Sequence, residues 1–195
     1  MTEEAAAVAP AAGGAVPRRS LVRRVIGAAL LDGRVYDEVK QDRSAGGQAI
    51  GMMTVVTACA AAGALGRDTG MGPLEAAAMT LAGWAVFSLL AWYFGTRSFG
   101  GTATPGQLFR TLAFAQEPGV LVLLSALPYV GGFFALLSGG WRLLATLAAL
   151  ERTLAFGYTR ALFTFAVAGL MMLPAVLGAS IAATYAWQLL STLWR

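Results

Sequence analysis

Residues 108–150 read LFRTLAFAQEPGVLVLLSALPYVGGFFALLSGGWRLLATLAAL, and only Arg110, Glu117 and Arg142 interrupt their apolarity with charge. A helix rises about 1.5 Å per residue, so this stretch is roughly twice as long as a hydrocarbon core of about 30 Å requires. It has to fold back on itself, and Pro128-Tyr129-Val130-Gly131-Gly132 supplies the turn. The pattern predicts a transmembrane hairpin with one span over about 108–127 and the next over about 133–150, closed by Glu151 and Arg152. Three further apolar stretches flank it. One runs over about 48–66, ends at Arg67 and Asp68, and is followed by a loop marked by Gly70, Gly72 and Pro73. The next covers about 76–94, and a polar connector from Thr96 to Gly106 leads into the hairpin. The last begins near Arg160. A crossing over about 160–182, kinked at Pro174, leaves Tyr185, Trp187 and Trp194 at or beyond the far interface.

Composition agrees. Of the 195 residues 57% are hydrophobic and 12% charged, with a mean hydropathy of +0.66. That charged share is about half that of a soluble domain and is too small for a polar shell. There is no histidine, and Cys59 is the single cysteine. This excludes His- or Cys-based zinc sites, Ser-His-Asp and Cys-His catalysis, structural disulfides and histidine-ligated haem. No clustered carboxylate pair occupies the spans. No catalytic residue, metal ligand set or cofactor is assigned, and the chain is not expected to be an enzyme. The formal charge of +4 speaks to topology and anionic lipid headgroups rather than to nucleic acid.

The fold expected is all-α: an integral membrane bundle of five transmembrane helices over 48–195, preceded by a disordered Ala/Gly/Pro tail over 1–17 and a juxtamembrane segment over 18–47. Arg18, Arg19, Arg23 and Arg24 flank Leu21, Val22, Val25, Ile26, Ala29 and Leu30, which share one helical face. Two readings fit this short amphipathic helix: one lying among anionic headgroups, or one packed on the protein's own cytoplasmic side. Arg18-Arg19-Ser20-Leu21 loosely resembles a twin-arginine start. The following apolar run is short and no Ala-x-Ala site follows, so no cleaved signal is expected. Asp32 to Arg43 is charged, with Tyr36 and Val39 placed to dock on the membrane domain. Eleven basic residues gather on one side of five spans, against Arg67 and Arg195 on the other. This predicts a bacterial inner-membrane protein with its N-terminus in the cytoplasm and its C-terminus in the periplasm.

Two stretches carry a family resemblance. One is Asp32-Gly33-Arg34-Val35-Tyr36-Asp37-Glu38-Val39 with Asp42, Ala45, Gln48 and Ala49; the other is Gly95-Thr96-Arg97-Ser98-Phe99-Gly100-Gly101 with Leu108, Arg110, Thr111, Ala113, Pro118 and Trp141. Over roughly Ala28 to Ala161 the chain resembles the Yip (Ypt-interacting protein) domain family in its bacterial form. The resemblance implies a small helical membrane domain without catalysis. Eukaryotic relatives bind Rab-type GTPases in vesicle traffic, a role that does not carry over with the fold.

Arg142 stands near the middle of its span, where a charge costs at least about 2.5–3.5 kcal/mol. In an antiparallel hairpin, residues equidistant from the turn share a depth, which pairs Glu117 with Arg142. The expectation is an intramembrane ion pair with Gln116 nearby, read as an ion or proton path, as a buried pair fixing helix register, or replaced by Arg142 snorkelling to the headgroups. The connector suggests an anion site on backbone N–H groups, with Arg97 and Arg110 supplying charge, or else a flexible re-entry. Gly47 and Gly51, and Gly139 and Gly140, permit close helix contact within the bundle or between protomers. The function expected is a scaffold or adaptor that organises lipids or other membrane proteins, or associates with itself. The alternative is a small oligomeric transporter or channel using Glu117 and Arg142.

Overall fold

The computed structural model describes residues 19–65 and 72–193. The tail over 1–17, Arg18, Arg67, Asp68, Gly70, Trp194 and Arg195 lie outside the described residues. Among the described residues every regular element is helical, and the chain is a helical membrane bundle.

Local chemistry sets the boundaries. α1 (Leu21–Ala29) closes with Leu31 in the left-handed region at φ 59°. There the Asp32 N–H donates to the Gly27 carbonyl at 2.8 Å. Asp32 then caps α2 (Gly33–Gln41), its carboxylate accepting from the Arg34 N–H at 3.0 Å. α3 (Ala45–Leu65) and α4 (Pro73–Arg97) are apolar around their whole circumference, as lipid-facing helices are. Pro73 opens α4 where its missing N–H costs nothing, and Glu75 and Arg97 sit in the first and last turns, matched to the helix dipole.

The first strand of the predicted hairpin departs from expectation. It is not one α-helix: α5 (Pro105–Ala115) stops at Gln116, and residues Glu117–Ala126 continue as a 3₁₀ helix. Pro118 explains the change. It has no N–H to donate back into α5, and its ring disfavours α geometry at Glu117. Both pieces together still reach roughly 36 Å, enough to cross. The turn falls where predicted, with Tyr129 left-handed at φ 65°. α6 (Gly131–Leu154) is longer than the predicted span by nearly two turns, and α7 (Tyr158–Leu193) carries Pro174 inside it. Four segments are long and apolar enough to cross a membrane: Ala45–Leu65, Pro73–Arg97, Pro105–Ala126 and Gly131–Leu154. The Tyr158–Pro174 part of α7 is a shorter apolar stretch beside these four.

The segment Pro105–Ala126 is the centre of the bundle. Of its most apolar 18 residues 61% are buried, against 17–33% in the other three crossing segments. Leu108, Leu112 and Phe114 of α5 meet Val35, Tyr36 and Val39 of α2 and Ala149, Leu150 and Leu154 of α6 in one core. Close approach at this end needs glycine: a Cβ on Gly95 would stand 2.7 Å from Leu154 Cδ1, and one on Gly101 2.8 Å from Leu154 Cδ2. By contrast, a Cβ at Gly47, Gly51, Gly139 or Gly140 would meet nothing within 4 Å, so these glycines do not make the close intrachain contacts they allow.

Candidate functional site

The juxtamembrane residues form a charged lock. Glu38 on α2 and Asp42, which caps its C-terminus with its N–H still bonded to the Glu38 carbonyl, are four apart, so both carboxylates face one side. Arg24 of α1 reaches into that side and is 1% exposed. Its Nη2 donates to Glu38 Oε1 at 2.8 Å and to Asp42 Oδ2 at 2.7 Å, its Nε to Glu38 Oε1 at 3.0 Å, and its Nη1 to Gln48 Oε1 at 2.8 Å. One guanidinium thus ties α1, α2 and the start of α3. Burial alone would lower the Arg24 guanidinium; the hydrogen bonds to Asp42 and Glu38 outweigh it and hold the group above its ordinary value. Donation from the Ser44 hydroxyl and from Arg24 brings the Asp42 carboxyl down to about 2. Arg19 extends the lock, pairing with Asp32 at 2.9 Å and Glu38 at 3.7 Å.

For Arg19, Arg24 and Arg110 this corrects the expectation of facing anionic lipid, and for α1 it favours the reading of a helix packed on the protein itself. Arg24 is enclosed by its own acids. Arg19 is engaged by Asp32 and Glu38. Arg110 donates to the Lys40 carbonyl at 2.9 Å and to that of Val39 at 3.4 Å, fastening α5 to the end of α2. Arg23 and Arg97 remain exposed on the surface. The signal for the lock is present in the sequence as two acids at helical spacing after an amphipathic helix.

The connector is ordered, not a flexible re-entry. Trp92 Nε1 donates to the Ala103 carbonyl at 3.0 Å, and the Thr102 N–H to that of Leu154 at 3.1 Å. Thr104 and Gln107 form a reciprocal capping box at the start of α5, with bonds of 2.8 and 3.4 Å. The N–H groups of Gly101, Thr102, Thr104 and Gln107 are therefore engaged within the protein, and Arg110 is turned to the carbonyls of Val39 and Lys40.

The predicted ion pair between Glu117 and Arg142 is also corrected. Arg142 Nε donates to Gln116 Oε1 at 2.8 Å and Nη2 donates to the same oxygen. No acid pairs with Arg142 among the described residues. The depth argument lands one residue away, because the chain leaves α geometry between Gln116 and Glu117 and sends their side chains to different sides. Glu117 is 7% exposed, and neither carboxylate oxygen has a hydrogen-bond partner among the described residues. It lies towards α2: Tyr36 is fully buried, its hydroxyl donates to the Ala28 carbonyl at 3.2 Å, and burial first and the Glu117 charge second raise its phenol.

α1 does not perch on the end of the bundle. Trp141 Nε1 donates to the Ala29 carbonyl at 2.8 Å, whereas Arg152, eleven residues further along α6, pairs with Asp37 at 3.8 Å. The α1–α2 unit therefore extends along the flank of α6 for about 16 Å. α1 turns Arg24 and Ala28 inward, while Val22, Ile26 and Leu30 are 54–71% exposed. The chain matches no family model, and comparison with curated proteins and with solved structures finds no match.

Proposed function

We propose that the chain is a non-enzymatic scaffold of the bacterial inner membrane, Yip-like in pattern, that organises anionic lipids or other membrane proteins, or associates with itself, through its juxtamembrane helix. The N-terminus is cytoplasmic and the C-terminus periplasmic. The observation that carries this reading is the outward apolar stripe of α1, Val22, Ile26 and Leu30, held on the flank of α6 beside the exposed Arg23. An exposed stripe of this kind is costly in water. Lipid buries it along the flank of α6, with Leu30 at the deeper end beside Trp141 and Arg23 towards the headgroups. Basic residues at the same end of the bundle, Lys40, Arg97, Arg152 and Arg160, support the cytoplasmic assignment of that end.

The reading is tested with nitroxide labels at Ile26→Cys and, as an aqueous reference, Arg43→Cys, each in a Cys59→Ala background reconstituted in vesicles containing anionic lipid. The expected result is strong relaxation of the Ile26 label by oxygen and weak relaxation by a water-soluble nickel complex, with the reverse at residue 43. Equal nickel accessibility at both sites would falsify the membrane-surface helix. A scaffold also predicts that any membrane partner purified in mild detergent is lost when Val22 and Ile26 are replaced by serine.

A second reading, a small oligomeric transporter, is favoured by one feature. A cavity of about 570 Å³ opens between α3, α4, α6, α7 and the 3₁₀ segment and reaches Gln116 and Arg142.

A further inference from the structure

The cavity has long apolar walls and one charged lining residue, Arg142. α4 contributes Ala76, Met79, Gly83 and Phe87 along a single face, at helical spacing. That face runs for eleven residues, a trough of about 16 Å. α7 supplies Phe165 and Met172 opposite it. The cavity's polar lining is Arg142 with the Gln116 amide bonded to it, the Thr146 hydroxyl one turn further along α6, and Thr80 and the Trp84 indole on α4. Trp84 Nε1 is buried with no hydrogen-bond partner. Its volume is within the roughly 300–1,000 Å³ typical of small-molecule sites.

The charge balance identifies the kind of ligand. Arg142 is held by a neutral amide alone, and Glu117 does not line the cavity. A cation in an apolar cavity favours a monoanion as its partner. Gln116 takes Nε and Nη2 through one oxygen, which fixes the guanidinium and leaves Nη1 for a second acceptor. The apolar face of α4 runs past Arg142 to Ala76, so a ligand that fits carries a single alkyl chain behind its anionic head.

We propose that this cavity is a binding site for a single-chain anionic amphiphile, a fatty carboxylate or a lysophospholipid phosphate, with its head on Arg142 and its chain along α4. The inference goes beyond both functional readings and rests on neither: the ligand binds whether the protein moves it or only holds it.

Native mass spectrometry of the full chain released from mild detergent tests this, with palmitate, palmitoyl lysophosphatidylglycerol (a monoanionic phosphodiester) and hexadecanol as ligands of equal chain length. The expected result is one anionic ligand per chain, bound at least tenfold more tightly than hexadecanol; which anion binds better identifies the head group. Arg142→Gln is expected to weaken anion binding at least tenfold. Gly139→Leu fills the cavity at a position where an added Cβ meets nothing within 4 Å, and is expected to weaken all three ligands. Arg43→Gln, on the exposed surface, is expected to leave binding unchanged. Equal binding of hexadecanol and the anions overturns the proposal, and so does retention of anion binding in Gly139→Leu. The second variant decides the matter even if Arg142→Gln fails to fold.

Discussion

Arg24 and Arg142 both bring a guanidinium into shielded parts of this fold, and they are satisfied in opposite ways. Arg24 lies between three helices with two carboxylates and an amide on its donors. Arg142 lies half-way along α6 with one amide oxygen. The difference follows from where partners can come from. Arg24 is followed within one short helix by Glu38 and Asp42, four apart, and then by Gln48. A local fold-back brings all three to it. Arg142 depends on the antiparallel strand of a hairpin, where the chain changes from α to 3₁₀ winding at the level of contact. That change presents Gln116 in place of Glu117. A buried cation with acids around it is a structural fastening, and breaking it leaves charges stranded. A cation without an acid remains open to an anion from outside.

The comparison breaks first at Arg24. Arg24→Met leaves Glu38 and Asp42 facing each other with little water, and is expected to destabilise the fold by about 3–5 kcal/mol. The measurement is reversible unfolding in mixed micelles of increasing SDS fraction. A loss under about 1 kcal/mol would mean that the acids are solvated and the lock is a surface feature.

Asp42 sharpens the same point through pH. Asp42→Asn removes a charge-assisted bond and is expected to cost about 1.5–3 kcal/mol at neutral pH. The folded carboxyl titrates at about 2, below its ordinary 3.8, chiefly because Ser44 and then Arg24 donate to it. The folded state therefore binds the proton less readily than the unfolded chain. Its contribution is complete above 3.8 and is lost as pH falls through about 2. The stability gap between wild type and Asp42→Asn should be constant from pH 7 to 5 and shrink below 3.8. A gap that stays open at pH 2 would place the effect in packing rather than in charge.

Trp141→Phe tests whether α1 depends on its dock as well as its lock. Losing the bond to the Ala29 carbonyl is expected to cost about 1 kcal/mol and to speed amide exchange in α1 while leaving α2 unchanged. Faster exchange in both helices would show that α1 and α2 open as one unit.

The sequence makes the bundle legible because its strongest signals are long and redundant. The apolar run over 108–150, its Pro-Tyr-Val-Gly-Gly turn and the basic residues at one end of the bundle all survive in the structure. Arg110, Arg152 and Lys40 do meet at one end, around α2. The site was legible only in part. Residues 24, 38 and 42 can be paired by helical spacing, but spacing alone does not separate the enclosed Arg24 from the exposed Arg23 beside it. The shift from Glu117 to Gln116 depends on Pro118 altering the winding. Depth counting assumes an unbroken α-helix, and the Glu-Pro-Gly sequence at 117–119 is where that assumption fails. The cavity was not legible, since it is bounded by residues from five elements whose rotations are set only by packing.

The smallest effect is expected at Arg142 itself. Arg142→Met keeps the length of the side chain and removes its charge. The loss is one partner for the Gln116 amide, about 1 kcal/mol. Against it stands the cost of holding an arginine at this depth without an acid, which the substitution relieves. The two nearly cancel, so stability in SDS titration should change by no more than about 1 kcal/mol in either direction, several-fold less than at Arg24. A loss as large as that of Arg24→Met would show that Arg142 is fastened in the folded chain more firmly than one amide allows. The contrast would then collapse, and with it the reason to look for an anion outside the chain. A near-neutral result leaves the charge without a structural purpose, so that a purpose in binding becomes the economical account of its presence in the bundle.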